Sequence, residues 1–234
     1  MSIQTPILSA RGLHHSFGPT EALRGIDLDV HVGEVLAVMG PSGSGKSTLL
    51  HCLAGVLVPD RGTVTYNPVD EVPLHLNELK ETKRARLRLT DFGFVFQFGQ
   101  LLPELSAVDN VSIPLLLKGI KRPEALERSR DMLQRLGLDG LGEKLPGELS
   151  GGQAQRVAVG RALVTSPAVL FADEPTGSLD SLASENVLTL MLDLVREADT
   201  TVVMITHDAR TAAYADREVI VRDGALGAGY RVST

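Results

Sequence analysis

The sequence predicts an α/β fold whose main sheet is largely parallel and is covered by helices on both faces. Short, continuously apolar runs, of which Val35–Met39 is the clearest, are typical of strands that are buried on both sides. These runs alternate with helix-like segments over most of the chain, which favours a parallel sheet. Near the N-terminus, apolar and polar residues alternate instead, and this pattern indicates two half-buried strands that pair antiparallel to each other.

The individual elements follow from these periodicities and from the glycine and proline residues between them. The predicted strands, in order, cover 7–13, 26–30, 35–39, 63–66, 92–96, 169–172, 202–205 and 217–221. The predicted helices cover 47–54, 123–136, 152–163 and 182–195. Turns are predicted at 17–19, 24–25 and 223–224. From about residue 98 to about residue 165 the strand signals stop, and we expect a helical insertion there.

Composition and charge exclude several classes of protein. The 234 residues suffice for one large domain or two small ones, and a hydrophobic content of 43% argues against disorder. The net charge of −6 gives no support for a surface that binds nucleic acid. No apolar run approaches the roughly 18–20 residues of a membrane span, and the first residues are too polar for a secretory signal. Cys52 is the only cysteine, so it cannot form an internal disulfide.

The strongest local motif lies between the strand Val35–Met39 and a predicted helix. It has the pattern G-x-x-x-x-G-K-[ST], in which glycines let backbone N–H groups converge on phosphate oxygens and the helix N-terminus adds positive potential. Lys46 is placed to reach the β- and γ-phosphates of a nucleoside triphosphate, and the Ser47 hydroxyl to ligate Mg²⁺. The candidate phosphate-binding residues are Gly40, Pro41, Ser42, Gly43, Ser44, Gly45, Lys46, Ser47 and Thr48.

A second motif places two acidic residues at the end of the apolar run 169–172. Asp173 is placed to hold Mg²⁺, directly or through water, and Glu174 to polarise a water molecule that attacks the γ-phosphate. One carboxylate for the metal and one for the water is the division that phosphoryl transfer to water requires. A kinase needs no base for water, so hydrolysis is favoured, and a small-molecule kinase is the weakest alternative.

Five further motifs occur in order between and around these two. They are an aromatic residue, a glutamine after a predicted strand, a Leu-Ser-Gly-Gly-Gln run, a Ser-Leu-Asp run, and a histidine after another strand. Their key positions are Phe17, Gln97, Ser150, Gly151, Gly152, Gln153, Asp180 and His207. In order and spacing, the complete set resembles the ATP-binding cassette (ABC) ATPases over residues 6–225.

The resemblance implies a P-loop NTPase (RecA-like) core, an antiparallel β subdomain, and a helical subdomain at about 98–165. All of these would belong to a single nucleotide-binding domain spanning residues 1–234. The family also implies ATP hydrolysis with Mg²⁺, in which Phe17 stacks on adenine, Gln97 senses the γ-phosphate and Mg²⁺, and His207 contacts the γ-phosphate. Glu174, His207 and Gln97 are therefore the catalytic candidates, and Ser47, Gln97 and Asp173 are the candidate metal ligands.

The run 150–153 predicts a second anion cradle, because Ser150 offers a hydroxyl and the two glycines offer unhindered N–H groups at a helix start. One nucleotide does not need two γ-phosphate cradles from one chain. The family implies a head-to-tail dimer, in which the Ser150 loop of one subunit closes over the nucleotide on the Lys46 loop of the other. We therefore expect a second ATPase subunit as a partner, with a homodimer favoured.

Several short runs narrow the resemblance to a subgroup that contains lipoprotein-releasing, macrolide-efflux, peptide-resistance and cell-division ATPases. These runs are 96–103, 107–111, 114–117 and 172–180. The subgroup implies a separate transmembrane permease, export or extrusion, and a peripheral position at the cytoplasmic face of the membrane. The main alternative is a mechanotransmission ATPase that signals through a membrane partner to a cell-wall enzyme without transport. A cassette for DNA repair, translation or iron–sulfur assembly is opposed by the single motif set and the acidic charge balance.

Two segments have open interpretations. The basic segment 80–88 is expected to form a solvated helix face, and contact with acidic lipid headgroups or a permease loop is the alternative. The apolar segment 98–105 is expected to contribute to a groove that receives a permease helix, with core packing as the alternative.

Overall fold

The computed structural model describes residues 6–69, 71–227 and 231–232. The chain forms two compact units, one from Met1–Arg88 with Thr201–Thr234 and the other from Leu89–Thr200. We call them the first and the second unit. No helix in the described ranges is long and apolar enough to span a membrane.

Each predicted strand and helix is confirmed, and several short elements join them. The strands are β1 (Leu8–Phe17), β2 (Thr20–Val30), β3 (Val35–Met39), β4 (Arg61–Tyr66), β5 (Leu74–His75), β6 (Phe92–Phe96), β7 (Val169–Asp173), β8 (Thr201–Ile205), β9 (Arg217–Arg222), β10 (Ala225–Leu226) and β11 (Arg231–Val232). The α-helices are α1 (Lys46–Leu53), α2 (Glu81–Thr90), α3 (Ala107–Leu117), α4 (Arg122–Arg135), α5 (Gly151–Leu163), α6 (Ser181–Glu197) and α7 (Ala209–Ala212).

The first unit contains the predicted antiparallel sheet, with strand order β2-β1-β4-β5. The turn predicted at 24–25 is wrong, because both residues lie inside β2. Leu13 pairs with Ile26 and His14 with Arg24, so Gly25 is an extra residue on its strand. Its φ of 81° is one that glycine adopts without strain, and the position is a β-bulge.

The first unit also contains a parallel sheet in which β3 lies between β8 and β9. The register joins Val38 to Ile205 on one side and to Val219 on the other. Four of the five residues of β3 are buried, as expected for a strand with covered faces. Because β3 and β8 run parallel, their carboxyl ends lie at the same edge of this sheet.

The second unit pairs β6 with β7 in parallel, and the last residue of each strand, Phe96 and Asp173, are partners. Phe171 packs edge-to-face on Phe92, with ring centroids 5.4 Å apart, and contributes to the core of this unit. Helix α5 covers β6 so closely that a Cβ on Gly93 would lie 2.6 Å from the carbonyl oxygen of Ala162.

Two helices illustrate the limits of periodicity. Helix α3 is mostly apolar, contains Pro114, and buries Asn110 and Ser112, so no amphipathic pattern marks it, although the Ser106 side chain caps its start. Helix α2 carries several charged side chains and has no buried residue. Hydrogen bonds from Arg88, and then from Arg84, hold the pKa of Glu81 below its usual range. Arg84 and Arg88 thus bond within the first unit, which favours the solvated-helix interpretation of segment 80–88.

Candidate functional site

The Lys46 loop connects β3 to α1 in the first unit, and two of its glycines are required by close backbone contacts. A Cβ on Gly40, where φ is 143°, would lie 2.1 Å from the carbonyl oxygen of Val221. A Cβ on Gly45, where φ is 103°, would lie 2.3 Å from the carbonyl oxygen of Ala22. Both distances are shorter than any real contact, so no other residue fits these positions without moving the neighbouring backbone.

The polar groups of this loop suit a phosphate. Lys46 is 8% exposed, and its Nζ atom donates to the carbonyl oxygens of Gly40 at 2.9 Å and Pro41 at 2.8 Å. An ammonium has three N–H bonds, so it can keep these two contacts and still donate to a phosphate oxygen. The Ser44 Oγ atom is buried and has no hydrogen-bond partner among the described residues. A buried polar atom without a protein partner, beside a cation and a glycine cradle, fits a bound anion.

His207 lies at the same sheet edge as this loop, because β8 ends beside β3 in a parallel register. Its side chain is exposed, and the turn that carries it is ordered by hydrogen bonds. The Thr206 Oγ1 atom accepts from the Asp208 amide at 3.1 Å, and the Asp208 carboxylate accepts from the Arg210 amide at 3.0 Å. This second bond holds the pKa of Asp208 below its usual range. The parallel pairing therefore places two candidate γ-phosphate contacts along one edge.

Phe17 ends β1 at the hairpin turn, where it pairs with Thr20. Its ring is 56% exposed and packs edge-on against His15, with centroids 4.7 Å apart. A ring that is held by one neighbour and open to solvent can stack on a nucleobase.

Gln97 and Glu174 come together in the second unit, since each follows one of the paired strands β6 and β7. A Cβ on Gly177 would lie 3.1 Å from Gln97 Nε2 and 3.2 Å from Glu174 Oε2, so both side chains approach one point. Glu174 has a φ of 48°, a conformation that costs a non-glycine residue energy and is often found at functional sites. The convergence of an amide and a carboxylate suits the positioning of a water molecule.

Asp173 is the last residue of β7 and is partly buried. No group of three or more histidine, cysteine or acidic side chains that could hold a metal ion occurs in the described part of the chain. Mg²⁺ usually takes one or two protein ligands and completes its shell with water and substrate phosphates. Ser47 in the first unit, and Gln97 and Asp173 in the second, each offer an oxygen of the kind that this ion prefers.

The run 150–153 forms the start of α5 in the second unit. Ser150 accepts a hydrogen bond from the Gln153 amide at 3.3 Å, and the Gln153 side chain accepts one from the Ser150 amide at 2.9 Å. Gln153 therefore closes a capping box, and the Ser-x-x-Gln spacing of the run is the local signal that could have predicted it. Gly151 and Gly152 have no side chains that could cover the backbone N–H groups at this helix start, as an anion cradle requires.

A surface cavity of about 830 Å³ adjoins this helix start. It is lined by residues 150–153 and 178–180 and by the exposed side of α6. Asp180 caps α6 by accepting a hydrogen bond from the Ala183 amide at 2.9 Å, and Leu182 lies beside it with 71% of its surface exposed. The cavity thus combines a helix N-terminus with an exposed apolar side chain.

One residue near these groups was missed by the sequence reasoning. Gln155, on α5, is 2% exposed and donates to the carbonyl oxygens of Phe96 and Pro175. The recognised motif, residues 149–153, ends before Gln155. No local pattern indicates that the hydrogen-bond partners of Gln155 lie in two other segments.

Comparison with known proteins decides the family. The family model described as ABC transporter matches residues 23–177, which include the Lys46 loop, Gln97, the run 150–153 and Glu174. The chain belongs to the ABC transporter family.

The ABC transporter relatives include two lipoprotein-releasing proteins that match over nearly their whole length. "Lipoprotein-releasing system ATP-binding protein LolD 2" of Caulobacter vibrioides is 44% identical over 225 residues, which are 94% of this chain and 96% of the relative. The LolD protein of Bordetella pertussis is 45% identical over 225 residues, which are 94% and 95% of the two chains.

Solved ABC transporter structures share the fold. The dimeric structure of the cassette MJ0796 superimposes with a TM-score of 0.85 at 33% identity and covers 96% of this chain and 98% of that one. A dimeric post-hydrolysis state of the same cassette with ADP and Pi gives a TM-score of 0.84. The cbiO1 protein of Clostridium perfringens gives 0.85 at 30% identity, with 97% and 89% of the two chains covered.

These findings confirm the predicted fold class and the predicted family. The protein is an ABC transporter ATPase subunit that binds and hydrolyses ATP, and its relatives match the lipoprotein-releasing part of the predicted subgroup.

Proposed function

We propose that this chain forms a homodimeric ATPase that powers a separate transmembrane permease of the export type, which releases lipid-modified proteins from a membrane. The observation that carries the proposal is the 44% identity to a lipoprotein-releasing ATP-binding protein across 94% of this chain and 96% of the relative. The names of the relatives favour transport over the mechanotransmission alternative.

The proposed dimer is head-to-tail, so that the cradle at the start of α5 covers the nucleotide on the partner's Lys46 loop. Three features of the second unit support it: the capped and exposed helix start, the adjoining cavity of about 830 Å³, and the exposed side chain of Leu182. An apolar side chain that is 71% exposed beside an anion cradle suits a surface that a partner covers. The solved cassette that resembles this chain is described as dimeric.

In the proposed reaction, Lys46 and the amides of its loop bind the phosphates, and Ser44 supplies a further donor. Ser47, Asp173 and Gln97 would hold Mg²⁺, which when bound offsets the charge of the β- and γ-phosphate oxygens. Glu174 accepts a proton from the attacking water, Gln97 helps to orient that water, and His207 contacts the γ-phosphate. We also infer that both units act as one cassette, because the family model spans parts of each.

We place the protein peripherally at the cytoplasmic face of the membrane, held there by its permease. The proposed permease contact is the apolar segment 98–105 with the end of α3. It exposes 76% of Phe98, 46% of Leu102 and 67% of Leu117, which supplies apolar side chains for such a contact.

The test is to co-express the chain with the membrane protein encoded beside its gene and to purify the complex in nanodiscs. We expect the two to co-purify and a diacylated lipoprotein to stimulate phosphate release. The same protein without its lipid serves as the control and should not stimulate. Equal stimulation by both forms would contradict the proposed substrate class, and failure to bind any integral membrane protein would contradict the permease proposal.

The Phe17 ring is expected to contribute to ATP binding by stacking. Phe17→Ala should weaken ATP binding by about 10- to 100-fold, since stacking of a base on an aromatic side chain contributes about 1–3 kcal/mol. Phe17→Tyr keeps the ring face and should bind like the wild type. Titration with a fluorescent ATP analogue measures the affinity, and competition by inorganic triphosphate, which has no base, should be unchanged. An equal loss of affinity for triphosphate would contradict the stacking role.

A further inference from the structure

The side-chain amide of Gln155 joins the two segments that carry Gln97 and Glu174. Its Nε2 atom donates to the carbonyl oxygen of Phe96 at 2.9 Å and to that of Pro175 at 2.6 Å. Phe96 directly precedes Gln97, and Pro175 directly follows Glu174. A primary amide has two N–H bonds, and here each is used on a different segment.

The burial of Gln155 makes these two hydrogen bonds hard to replace by bonds to water. The residue is 2% exposed, so water does not readily replace the amide if it is removed. The buried Pro175 carbonyl would then lose this donor, whereas the Phe96 carbonyl would keep the Gly99 amide at 3.1 Å. The amide that joins the two segments would be gone, which favours a change in their separation.

The loop around Gln97 is held from other directions as well. Ser178 Oγ donates to the Gln97 carbonyl oxygen at 2.7 Å. The Arg161 guanidinium donates to the carbonyl oxygens of Gly99 at 2.8 Å and Gln100 at 2.9 Å, and burial lowers the pKa of this arginine. Gln100 has a φ of 47°, a conformation that costs a non-glycine residue energy. Side chains thus hold the backbone carbonyl groups of residues 96, 97, 99 and 100.

We infer that Gln155 is a positioning residue for hydrolysis: by bonding the backbone on both sides, it sets the separation of Gln97 and Glu174. The inference rests on the roles proposed above for those two residues. Gln155 acts through them and touches neither substrate nor metal. A misplacement of about 1 Å at a reacting group can reduce a rate by about 100-fold, so a fixed separation matters for turnover.

The test variant is Gln155→Met, which keeps the length and approximate volume of the side chain but has no donor. Turnover is measured as phosphate release per nucleotide-binding site, with sites counted by stoichiometric titration. Affinity for a fluorescent ATP analogue is measured with and without Mg²⁺. We expect turnover per site to fall by about 10- to 100-fold. Affinity without Mg²⁺ should stay within about twofold, whereas the gain in affinity on adding Mg²⁺ should shrink as Gln97 is displaced.

Thr200→Val is the matched control. Thr200 is 2% exposed and donates to the Pro167 carbonyl oxygen at 3.0 Å, at the opposite end of β7 from Glu174. Thr200→Val also removes a buried side-chain hydrogen bond to a backbone carbonyl in the second unit. Turnover per site should not change in this variant. If Gln155→Met matches Thr200→Val in turnover and in its response to Mg²⁺, the inference is overturned.

A second variant keeps the test decisive if Gln155→Met does not fold. Gln155→Asn retains the amide but is one methylene shorter and cannot reach both carbonyl groups, so an intermediate loss of turnover is expected. Wild-type turnover in a folded Gln155→Asn protein would overturn the inference.

Glu174→Gln and Gln97→Ala separate this inference from the function it rests on. If Gln155 acts through Gln97, adding Gln155→Met to Gln97→Ala should lower turnover by less than it does in the wild type. If the effects of the two substitutions on the free energy of activation are fully additive, Gln155 does not act by positioning Gln97. Normal turnover of Glu174→Gln would contradict the proposed base, whatever Gln155→Met does. An inactive Glu174→Gln beside a fully active Gln155→Met would overturn only the positioning role.

Discussion

Glu174→Gln is expected to bind ATP with near wild-type affinity and to lose nearly all turnover. Glutamine has the same shape as glutamate, so the strained backbone at this position, where φ is 48°, is kept. It cannot accept a proton from the attacking water, and removal of a general base costs about 10²- to 10⁴-fold in rate. Phosphate release measures the turnover, and titration with a fluorescent ATP analogue measures the affinity.

In the proposed dimer, ATP that is not hydrolysed keeps the two subunits together, so Glu174→Gln should also run as a dimer in ATP and as a monomer without it on size-exclusion chromatography. Glu127→Gln, on the exposed side of α4, makes the same charge change away from the candidate site and should behave like the wild type. Wild-type turnover of Glu174→Gln would remove Glu174 as the base.

Gly151→Asp is expected to abolish turnover while ATP binding to the monomer remains. A carboxylate at the start of α5 repels a phosphate from the helix N-terminus. In the proposed head-to-tail dimer this cradle covers the partner's nucleotide, so the affinity of the Lys46 loop in the same chain should not change. Combined with Glu174→Gln, Gly151→Asp should also prevent the ATP-dependent dimer. Phosphate release, fluorescent nucleotide titration and size-exclusion chromatography check the three parts.

Gly151→Ala is the steric control for this variant. A Cβ at this position meets only the Leu179 Cδ2 atom, at 3.3 Å, and a flexible side chain can yield by that amount. Gly151→Ala should therefore retain a substantial part of the turnover. Loss of ATP binding by monomeric Gly151→Asp would instead show that the cradle acts on the nucleotide of its own chain, and the head-to-tail arrangement would be wrong.

Most of the fold was predictable because its signals are local. A buried strand such as Val35–Met39 is recognised by its own composition, and helix α4 by its own periodicity. The elements that escaped were those whose signal is masked, such as the apolar α3 with Pro114, or those where a bulge imitates a turn, as at Gly25. In each case a tertiary contact or a cap, rather than the local pattern, decides the structure.

The chemistry of the candidate site was likewise predictable where it lies within one short segment. The residues around Lys46 are neighbours in the sequence, and so are Asp173 and Glu174. Each motif can therefore be recognised without knowing the tertiary structure. The sequence by itself therefore determined the family, and it proposed the phosphate loop and the acidic pair as parts of the candidate site.

Only the tertiary structure decided how distant residues combine. The parallel register of β6 and β7 brings Gln97 beside Glu174, and Gln155 bonds partners that lie 59 and 20 residues away. Such contacts depend on strand pairing and on which faces are buried, and these are properties of the packed chain that no short segment encodes.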